Sequence, residues 1–363
     1  MTLSRTEDAT RGGPALRGDG ESTVEVTSIA PGDWDNYVTT HHAATAYHRA
    51  AAVRIGAEAF NLRTYFMVAR AAGRVIGVLP LVEQSSLVFG RYLISVPFLT
   101  YGGLLAESAE SALLLAERAG ALAAERKAGH VELRQSIAVP GLTLAQRLDK
   151  VSLVLDLPGS QRDLAKQLGS KLRSQIKRAQ REQPEICWGR EELIADFYDV
   201  FAESMHQLGT PVYPRRFFDV VCRALQDGVR VLVIRVNGHA MAAAIVVRHG
   251  SSTEVPWAAA RVAAKRTSLN MRMYWEMLCE AIDSGSTSFD FGRSSIDSGT
   301  YRFKLQWGAK PQQLHWYYWL PTGARVPQLN HANPKYALAA QVWRRLPLWC
   351  ANLLGPQISP HLP

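Results

Sequence analysis

The chain has 363 residues, which is too long for one typical hydrophobic core and suits two domains. Hydrophobic residues make up 47% and charged residues 20%, a balance that excludes a disordered or fibrous chain and predicts a globular one. A formal net charge of +9 favours anionic partners such as phosphates, nucleic acid or an anionic membrane surface, without choosing among them.

The cysteines and histidines indicate neither disulfide bonds nor a metal site. The 4 cysteines lack C-x-x-C spacing, which argues against a disulfide framework and a zinc site and favours a reducing cytoplasm. His41, His42 and His48 lack metal-ligand spacing, so we assign no metal. Residues 1–22 are polar and carry no apolar h-region, which predicts a disordered tail without a secretory signal. We expect a cytoplasmic protein, with peripheral contact at the inner membrane left open.

The predicted elements of the first half begin with a strand and two helices, followed by a hairpin. The hairpin turns at Ala72-Gly73, where glycine tolerates the positive φ of a tight turn. A further strand, a long Ala- and Leu-rich helix and two more strands follow. In chain order the predicted ranges are 24–28 (strand), 33–42 and 45–60 (helices), 64–70, 75–83 and 87–96 (strands), 108–128 (helix), and 131–135 and 151–157 (strands).

The second half repeats this order, with the strong two-residue hairpin signal Asn237-Gly238 in place of Ala72-Gly73. The two hairpins align, and each leads into a strand, a long helix and another strand. This pattern indicates an internal duplication, although such an order also recurs by chance in α/β chains. The predicted ranges are 163–181, 191–208 and 214–225 (helices), 229–236, 241–249 and 253–259 (strands), 268–284 (helix) and 287–291 (strand).

These elements predict an α/β chain of two domains. We expect an N-terminal domain over residues 23–157, a C-terminal domain over 158–322 and an amphipathic segment over 323–363. That last segment carries Trp349 among leucines and arginines, a composition that would also suit a membrane interface. Because Pro347 interrupts a long helix, we favour packing on the first domain.

No nucleophile elbow, P-loop or zinc-protease motif occurs in the sequence. A hairpin, a strand and then a helix behind an irregular loop is the layout of acyl-CoA N-acyltransferase (GNAT) folds, in which the helix N-terminus holds pyrophosphate. Here that loop carries Lys265 and Arg266, while a helix further upstream aligns Arg173 and Lys177 on one stripe. We take these four cations as candidate co-substrate ligands. The loop lacks the glycines of a pyrophosphate site, so a solvated basic surface remains the alternative.

The most informative stretch is the run Phe-Asp-Phe-Gly-Arg over 289–293, followed by Tyr-Arg-Phe-Lys-Leu-Gln-Trp-Gly over 301–308. A strand that passes through a Gly-rich loop to Lys304, flanked by aromatic residues, places a cation in a partly dry pocket, where charge acts strongly. Taken alone, Phe303 and Trp307 also suit a hydrophobic core.

These motifs resemble the FemAB family of tandem acyltransferase-fold proteins, whose members add amino acids from aminoacyl-tRNA to peptidoglycan precursors. The chain is similar to the branch associated with exosortase (PEP-CTERM) and exopolysaccharide systems, through residues 209–211, 255–259 and 333–347. In the family, the lysine of the Phe-Lys-x-x-Phe motif stabilises developing negative charge, which implies that role for Lys304. Trp307 stands where peptidoglycan-modifying members carry Phe, so the peptidoglycan substrate is not carried over.

The resemblance implies two tandem GNAT-like domains with mixed central sheets. It further implies transfer of an acyl or aminoacyl group to an amine of an envelope or exopolysaccharide precursor, with acyl-CoA or aminoacyl-tRNA as co-substrate and no tightly bound cofactor. An acyl-CoA-dependent enzyme acting on an amino sugar and a non-catalytic scaffold for a phosphorylated carrier remain alternatives. The candidate residues are Lys304, Asp290 and Glu254 for catalysis and Arg293, Tyr301, Trp257, Tyr213 and Arg216 for substrate binding.

Overall fold

The computed structural model describes residues 22–86, 90–327 and 334–362, with the backbone alone for 334–336. The predicted tail, apart from its last residue, lies outside this range. The strands are β1 Thr23–Thr27, β2 Arg63–Ala71, β3 Arg74–Ser86, β4 Gly90–Ile94, β5 Leu105–Ala106, β6 Val131–Gln135, β7 Ala145–Arg147, β8 Lys150–Asp156, β9 Glu185–Gly189, β10 Val229–Val236, β11 His239–His249, β12 Ser252–Ala260, β13 Ser288–Ser295, β14 Lys310–Gln313 and β15 His315–Trp319.

Helices alternate with these strands. They are α1 Trp34–Thr40, α2 Ala50–Val53, α3 Ile55–Phe60, α4 Ala109–Glu125, α5 Gln161–Gln167, α6 Ser170–Ala179, α7 Ile194–Leu208, α8 Arg215–Leu225, α9 Val262–Arg266, α10 Leu269–Asp283, α11 Gly299–Leu305, α12 Pro334–Arg345 and α13 Leu348–Ile358. Short strands β7, β9, β14 and β15 and helix α11 were not anticipated, since such short runs carry little periodicity.

The strands form two mixed sheets of the same design. The first has the order β1-β2-β3-β4-β6-β15-β7, with β5 on β3, and the second has the order β14-β8-β13-β12-β11-β10-β9. In each sheet, four antiparallel strands are followed by one parallel pair, β4 with β6 and β12 with β13. Both predicted hairpins are present. The repeated order agrees with the inferred duplication.

The two halves exchange a strand, which corrects the predicted first domain. β8 was expected to close the first half, but it pairs with β13 and β14 in the second sheet. In return, β15 inserts between β6 and β7 of the first sheet. A division at residue 157 therefore does not follow the sheets. Alternating apolar residues predict a strand but carry no information about its partner.

Two further expectations need correction. The helix predicted over 45–60 is broken into a turn at Ala46–His48 followed by α2 and α3, because side chains capture its backbone groups. Trp34 Nε1 donates to His48 O at 2.8 Å, and Ala50 N donates to Asp35 Oδ1 at 2.8 Å. The helix predicted over 163–181 is likewise split into α5 and α6.

Three apolar clusters hold the layers together. One lies between the sheets and joins residues such as Phe66 of β2 and Val231 of β10 to the aromatic side chains of α7 and α8. The second packs α6 and α10 on the outer face of the second sheet, and the third packs α4 on the outer face of the first. The first of these, the middle cluster, packs the two halves against each other.

The C-terminal segment bridges both halves rather than packing on the first alone. His206 Nε2 of α7 lies 2.9 Å from Leu346 O, between α12 and α13. Beyond α13, Gln84 Nε2 of β3 donates to Pro360 O at 3.0 Å. Within the described ranges, no helix has the length and apolar character needed to cross a membrane.

Candidate active site

Two neighbouring β-bulges shape the candidate site. In β12, Ile245 faces Trp257 while Val247 faces Glu254, so one extra residue is accommodated at Val255 and Pro256. In β13, the register shifts between Asp290 and Arg293, where Gly292 has a φ of 76° that suits glycine. Each bulge re-aims the strand, so that residues on both sides of it can face the cleft.

Glu254 and Asp290 are register partners on the parallel strands β12 and β13, and both side chains are buried. Asp290 accepts hydrogen bonds from Tyr101 Oη, from Ser152 Oγ and from Gly292 N at 2.7 Å. Tyr101 comes from the first half, and Ser152 from the exchanged strand β8. Donors from three parts of the chain therefore converge on one carboxylate and favour its charged form.

Glu254 is the less satisfied member of the pair. Its Oε1 is buried without a hydrogen-bond partner among the described residues, and so is the nearby Tyr47 Oη. Tyr47 and Thr100 nevertheless lie close to Glu254, and their hydroxyls act to lower its pKa. Burial, and then repulsion from Asp290, raise the pKa of Glu254 to about 8. Burial also raises the pKa of Asp290, against its hydrogen bonds. The pair thus holds a proton near neutral pH, as expected of two adjacent buried carboxyls.

Lys304 supports this pair from behind the bulge. Its Nζ donates to Gly292 O at 2.8 Å and to Arg293 O at 3.0 Å, and only 7% of the residue is exposed. Burial lowers the pKa of Lys304 to about 8, against the attraction of Asp290 and Glu254. Lys304 does not line the cavity beside the carboxyl pair. It is placed to fix the bulge and to neutralise the buried charge.

A cavity of about 330 Å³ reaches the carboxyl pair from the cleft between the halves. Tyr47 and Tyr101 lie on one side, and the end of the β11–β12 hairpin lies on the other, with His41, His42 and His249 also in the lining. Burial lowers the pKa of His41 and of His249, which favours neutral imidazoles. Among the described residues, no group of three or more His, Cys, Asp or Glu side chains could hold a metal.

Arg293 follows the bulge and projects to a cationic cluster around Trp316 of β15. The guanidinium carbons of Arg134, Arg147 and Arg293 lie 4.6, 5.4 and 5.3 Å from the indole centroid. Arg134 and Arg147 are paired with Glu132 and Asp149, whereas no ion pair of Arg293 is found within the described residues. Arg293 is surrounded by protein but remains solvent-accessible, and desolvation and Arg134 lower its pKa to about 10. It is available to an anion.

The remaining predicted substrate ligands are dispersed. Trp257 is buried edge-on against Phe217 and Phe218 in the middle cluster. Tyr213 packs at a tilt against the same aromatic residues, and Tyr301 packs on the outer core of the second sheet. Arg216 is exposed and lines a separate cavity of about 520 Å³ beside α13.

The four predicted co-substrate ligands lie on neighbouring helices at the outer face of the second sheet. Arg173 and Lys177 are exposed on α6, and Lys265 and Arg266 are exposed on α9. The two helices are joined where Arg178 Nη2 donates to Arg266 O at 3.0 Å. Two separate basic stretches of sequence therefore meet in one positive surface.

Sequence reasoning missed Tyr47, Tyr101 and Ser152 as parts of the site. Each lies outside the motif-bearing stretch, and Tyr47 sits in a segment expected to be a plain helix. No spacing pattern connects these residues to Asp290, since they are brought together only by the packing of the two halves and the strand exchange.

Comparisons with known proteins agree with this architecture. The family model described as an acetyltransferase (GNAT) domain matches residues 167–305. Among solved structures, FemX is 13% identical, with a TM-score of 0.63 and coverage of 87% of this chain and 100% of that chain. L-PGS from Bacillus licheniformis is 11% identical, with a TM-score of 0.55 and coverage of 88% and 98%. A search of curated proteins finds no match.

A third solved structure, the tandem GNAT protein from the clavulanic acid biosynthesis pathway, is 11% identical with a TM-score of 0.54 and covers 84% of this chain and 100% of its own. The chain therefore has the predicted fold, two tandem GNAT-like domains with mixed central sheets. Within that class, its fold is similar to that of FemX.

Proposed function

We propose that this protein is an N-acyltransferase that moves an acyl or aminoacyl group onto an amine of a cell-envelope or exopolysaccharide precursor in the cytoplasm. The observation that carries the proposal is the carboxyl pair Glu254 and Asp290, buried side by side at a cavity between two GNAT-like halves. A general base works best when its pKa lies near the working pH, and Glu254 meets that condition.

In the proposed reaction, ionised Glu254 removes a proton from the acceptor amine as its nitrogen attacks the acyl carbonyl carbon. The tetrahedral intermediate collapses when the bond to the donor breaks, and the proton returns from Glu254 to the departing oxygen or sulfur of the donor. Asp290, held by three donors, keeps the pair's negative charge when Glu254 is protonated. We assign Lys304 the positioning of both carboxyls through the bulge, rather than direct contact with the oxyanion.

The basic surface formed by α6 and α9 supports an anionic donor. A broad set of exposed cations suits the many phosphates of a tRNA. Residues 261–268, where α9 stands in place of the expected loop, contain no glycine that would admit a compact pyrophosphate. FemX and L-PGS share the fold, and so does the C-terminal domain of a putative lysylphosphatidylglycerol synthetase from Agrobacterium fabrum. We therefore place aminoacyl-tRNA first and acyl-CoA second as donors.

The position of Arg293 supports the proposal that the acceptor carries a phosphate or a carboxylate. Its guanidinium lies on the same strand as Asp290, three residues further on, and has no acidic partner of its own within the described chain. A bound anion would supply the missing negative charge and orient the acceptor amine toward the carboxyl pair. The assignment to an exosortase-associated exopolysaccharide system rests on the sequence resemblance.

The test compares donors and one matched pair of variants. Aminoacyl-tRNA should raise the melting temperature and support transfer of a labelled aminoacyl group, with binding that falls steeply with salt. Glu254→Gln should keep donor binding and lose transfer by roughly 100-fold or more, as is typical for the loss of a general base. Glu117→Gln, at an exposed position of α4, is the control and should behave as wild type.

Other outcomes assign the protein differently. Stabilisation and transfer with acyl-CoA alone would select the acyl-CoA-dependent alternative. Binding of a phosphorylated carrier with no transfer from either donor, unchanged in Glu254→Gln and Lys304→Met, would show a scaffold and refute the catalytic proposal.

A further inference from the structure

The outer side of α12 and α13 exposes an unusual amount of apolar surface. Trp349 is 70% exposed, Leu338 62%, Leu353 61% and Val342 54%. Large apolar side chains exposed in such number on two successive helices are typical of an interaction surface on soluble proteins. We call these exposed side chains together the C-terminal apolar face; they are Leu338, Val342, Leu348, Trp349, Leu353, Leu354 and Ile358.

Helix α13 buries its small residues and exposes its large ones. Ala351 and Gly355 are turned inward, and a Cβ on Gly355 would lie 2.9 Å from Val212 N, so the helix is held tightly against the protein. The opposite side presents Trp349 and Leu353 to solvent. A helix that served only the core would place its large apolar residues inward. The arrangement keeps α13 fixed while its apolar side faces outward.

The C-terminal stretch of sequence that carries this face has charges of one sign. Arg344 and Arg345 are exposed at the end of α12, next to the apolar residues. From residue 298 to the end, the sequence contains seven Lys and Arg and not one Asp or Glu. An apolar face bordered by cations complements a surface that is apolar inside and negative outside, which describes an anionic lipid bilayer.

We propose that the C-terminal apolar face docks the protein on the surface of an anionic membrane. Trp349 and Leu353 enter the interface between headgroups and acyl chains, and Arg344 and Arg345 pair with lipid phosphates. Pro356 and Gln357 of α13 also line the cavity that contains Arg216, so docking holds that cavity beside the headgroups. The proposal concerns where the protein works and is independent of the acyl donor and of the carboxyl pair.

Vesicle flotation of the full chain tests this proposal. Wild type should float with vesicles of phosphatidylcholine and phosphatidylglycerol, and less with phosphatidylcholine alone or at high salt. Trp349→Ser combined with Leu353→Ser should lower binding by at least about tenfold, because two apolar side chains that enter the membrane interface are lost. Arg344→Gln combined with Arg345→Gln should lower binding on the order of tenfold, and only to the anionic vesicles.

The matched control is Ile29→Ser combined with Ile137→Ser, at two positions of the first half that are 75% and 50% exposed. It should float as wild type does, and circular dichroism melting should show all variants folded. The proposal is overturned if wild type floats with neither kind of vesicle. It is also overturned if the Trp349 and Leu353 double variant floats as well as wild type. A concentration-dependent dimer that this variant abolishes would instead identify a second copy of the chain as the occupant.

Discussion

Glu254 and Asp290 show how one fold can hold a proton near neutral pH with two ordinary carboxyls. Adjacent on parallel strands and buried, they cannot both ionise without strong repulsion. The hydrogen bonds divide their roles, since Asp290 receives three and Glu254 Oε1 has no hydrogen-bond partner within the described chain. The proton therefore resides mainly on Glu254.

This division predicts a stability effect with a defined sign. Burial raises the pKa of Glu254 from 4.5 to about 8, so the folded chain binds a proton that the unfolded chain releases between these values. The stabilisation is complete below pH 4.5 and is lost as pH rises through 8. Glu254→Gln, which mimics the protonated carboxyl, should melt increasingly above wild type from pH 5 to about pH 8 and keep that margin at higher pH.

Melting curves of both proteins, measured in parallel across that range, check this prediction. The difference between them matters, because other groups titrate in both. A difference between Glu254→Gln and wild type that stays constant with pH would mean that Glu254 does not gain a proton on folding.

At the scale of elements, the two β-bulges do what regular strands could not. A regular strand alternates its faces, so residues three apart, such as Asp290 and Arg293, would point to opposite sides. The extra residue in β13 allows both to face the cleft, while Phe289 and Phe291 remain in the outer core. The corresponding bulge in β12 allows both Glu254 and Trp257 to face it.

Gly292 is the residue on which the β13 bulge depends, and Gly238 provides a matched control. Their φ values are 76° and 77°, so alanine at either position should cost about 1–2 kcal/mol of stability. Gly292→Ala should also lower transfer activity, on the order of 100-fold, by displacing Asp290 and the carbonyls that hold Lys304. Gly238→Ala lies in the β10–β11 turn and should leave activity unchanged.

Chemical denaturation and initial rates of both variants separate the two effects. Equal losses of stability with unequal losses of activity are expected. Equal activities would show that the bulge tolerates a side chain and does not position the site.

For the whole molecule, the exchange of β8 and β15 ties the halves together. β15 lies between β6 and β7 with Tyr317 and Tyr318 fully buried, and β8 lies between β13 and β14 with Leu153 fully buried. Each half therefore completes the sheet of the other. The exchange also brings Ser152 to Asp290 and Trp316 to Arg293, so the site depends on it.

Separate expression of residues 1–157 and 158–363 tests this dependence. Neither fragment should unfold cooperatively alone, because each lacks an interior strand of its sheet and exposes the apolar residues that the strand covers. Co-expressed fragments should associate and melt as one unit. A cooperative transition of either fragment alone, near the melting temperature of the intact chain, would contradict the exchange.

Local patterns in the sequence determined most elements, the hairpins at Gly73 and Gly238, and the fold class. These features arise from period, turn chemistry and composition, which neighbouring residues encode. The stretch over 289–308 also identified Asp290, Arg293 and Lys304, and the charge pattern marked the basic helices.

Only the tertiary structure decided which sheet β8 and β15 join, and with them which groups surround Asp290. Strand partners and the raised pKa of Glu254 depend on contacts between residues far apart in sequence, for which a strand pattern contains no signal. The outward turn of Trp349 and Leu353 was equally undetermined, because an amphipathic helix pattern does not specify which side meets the protein. Packing resolved each of these choices.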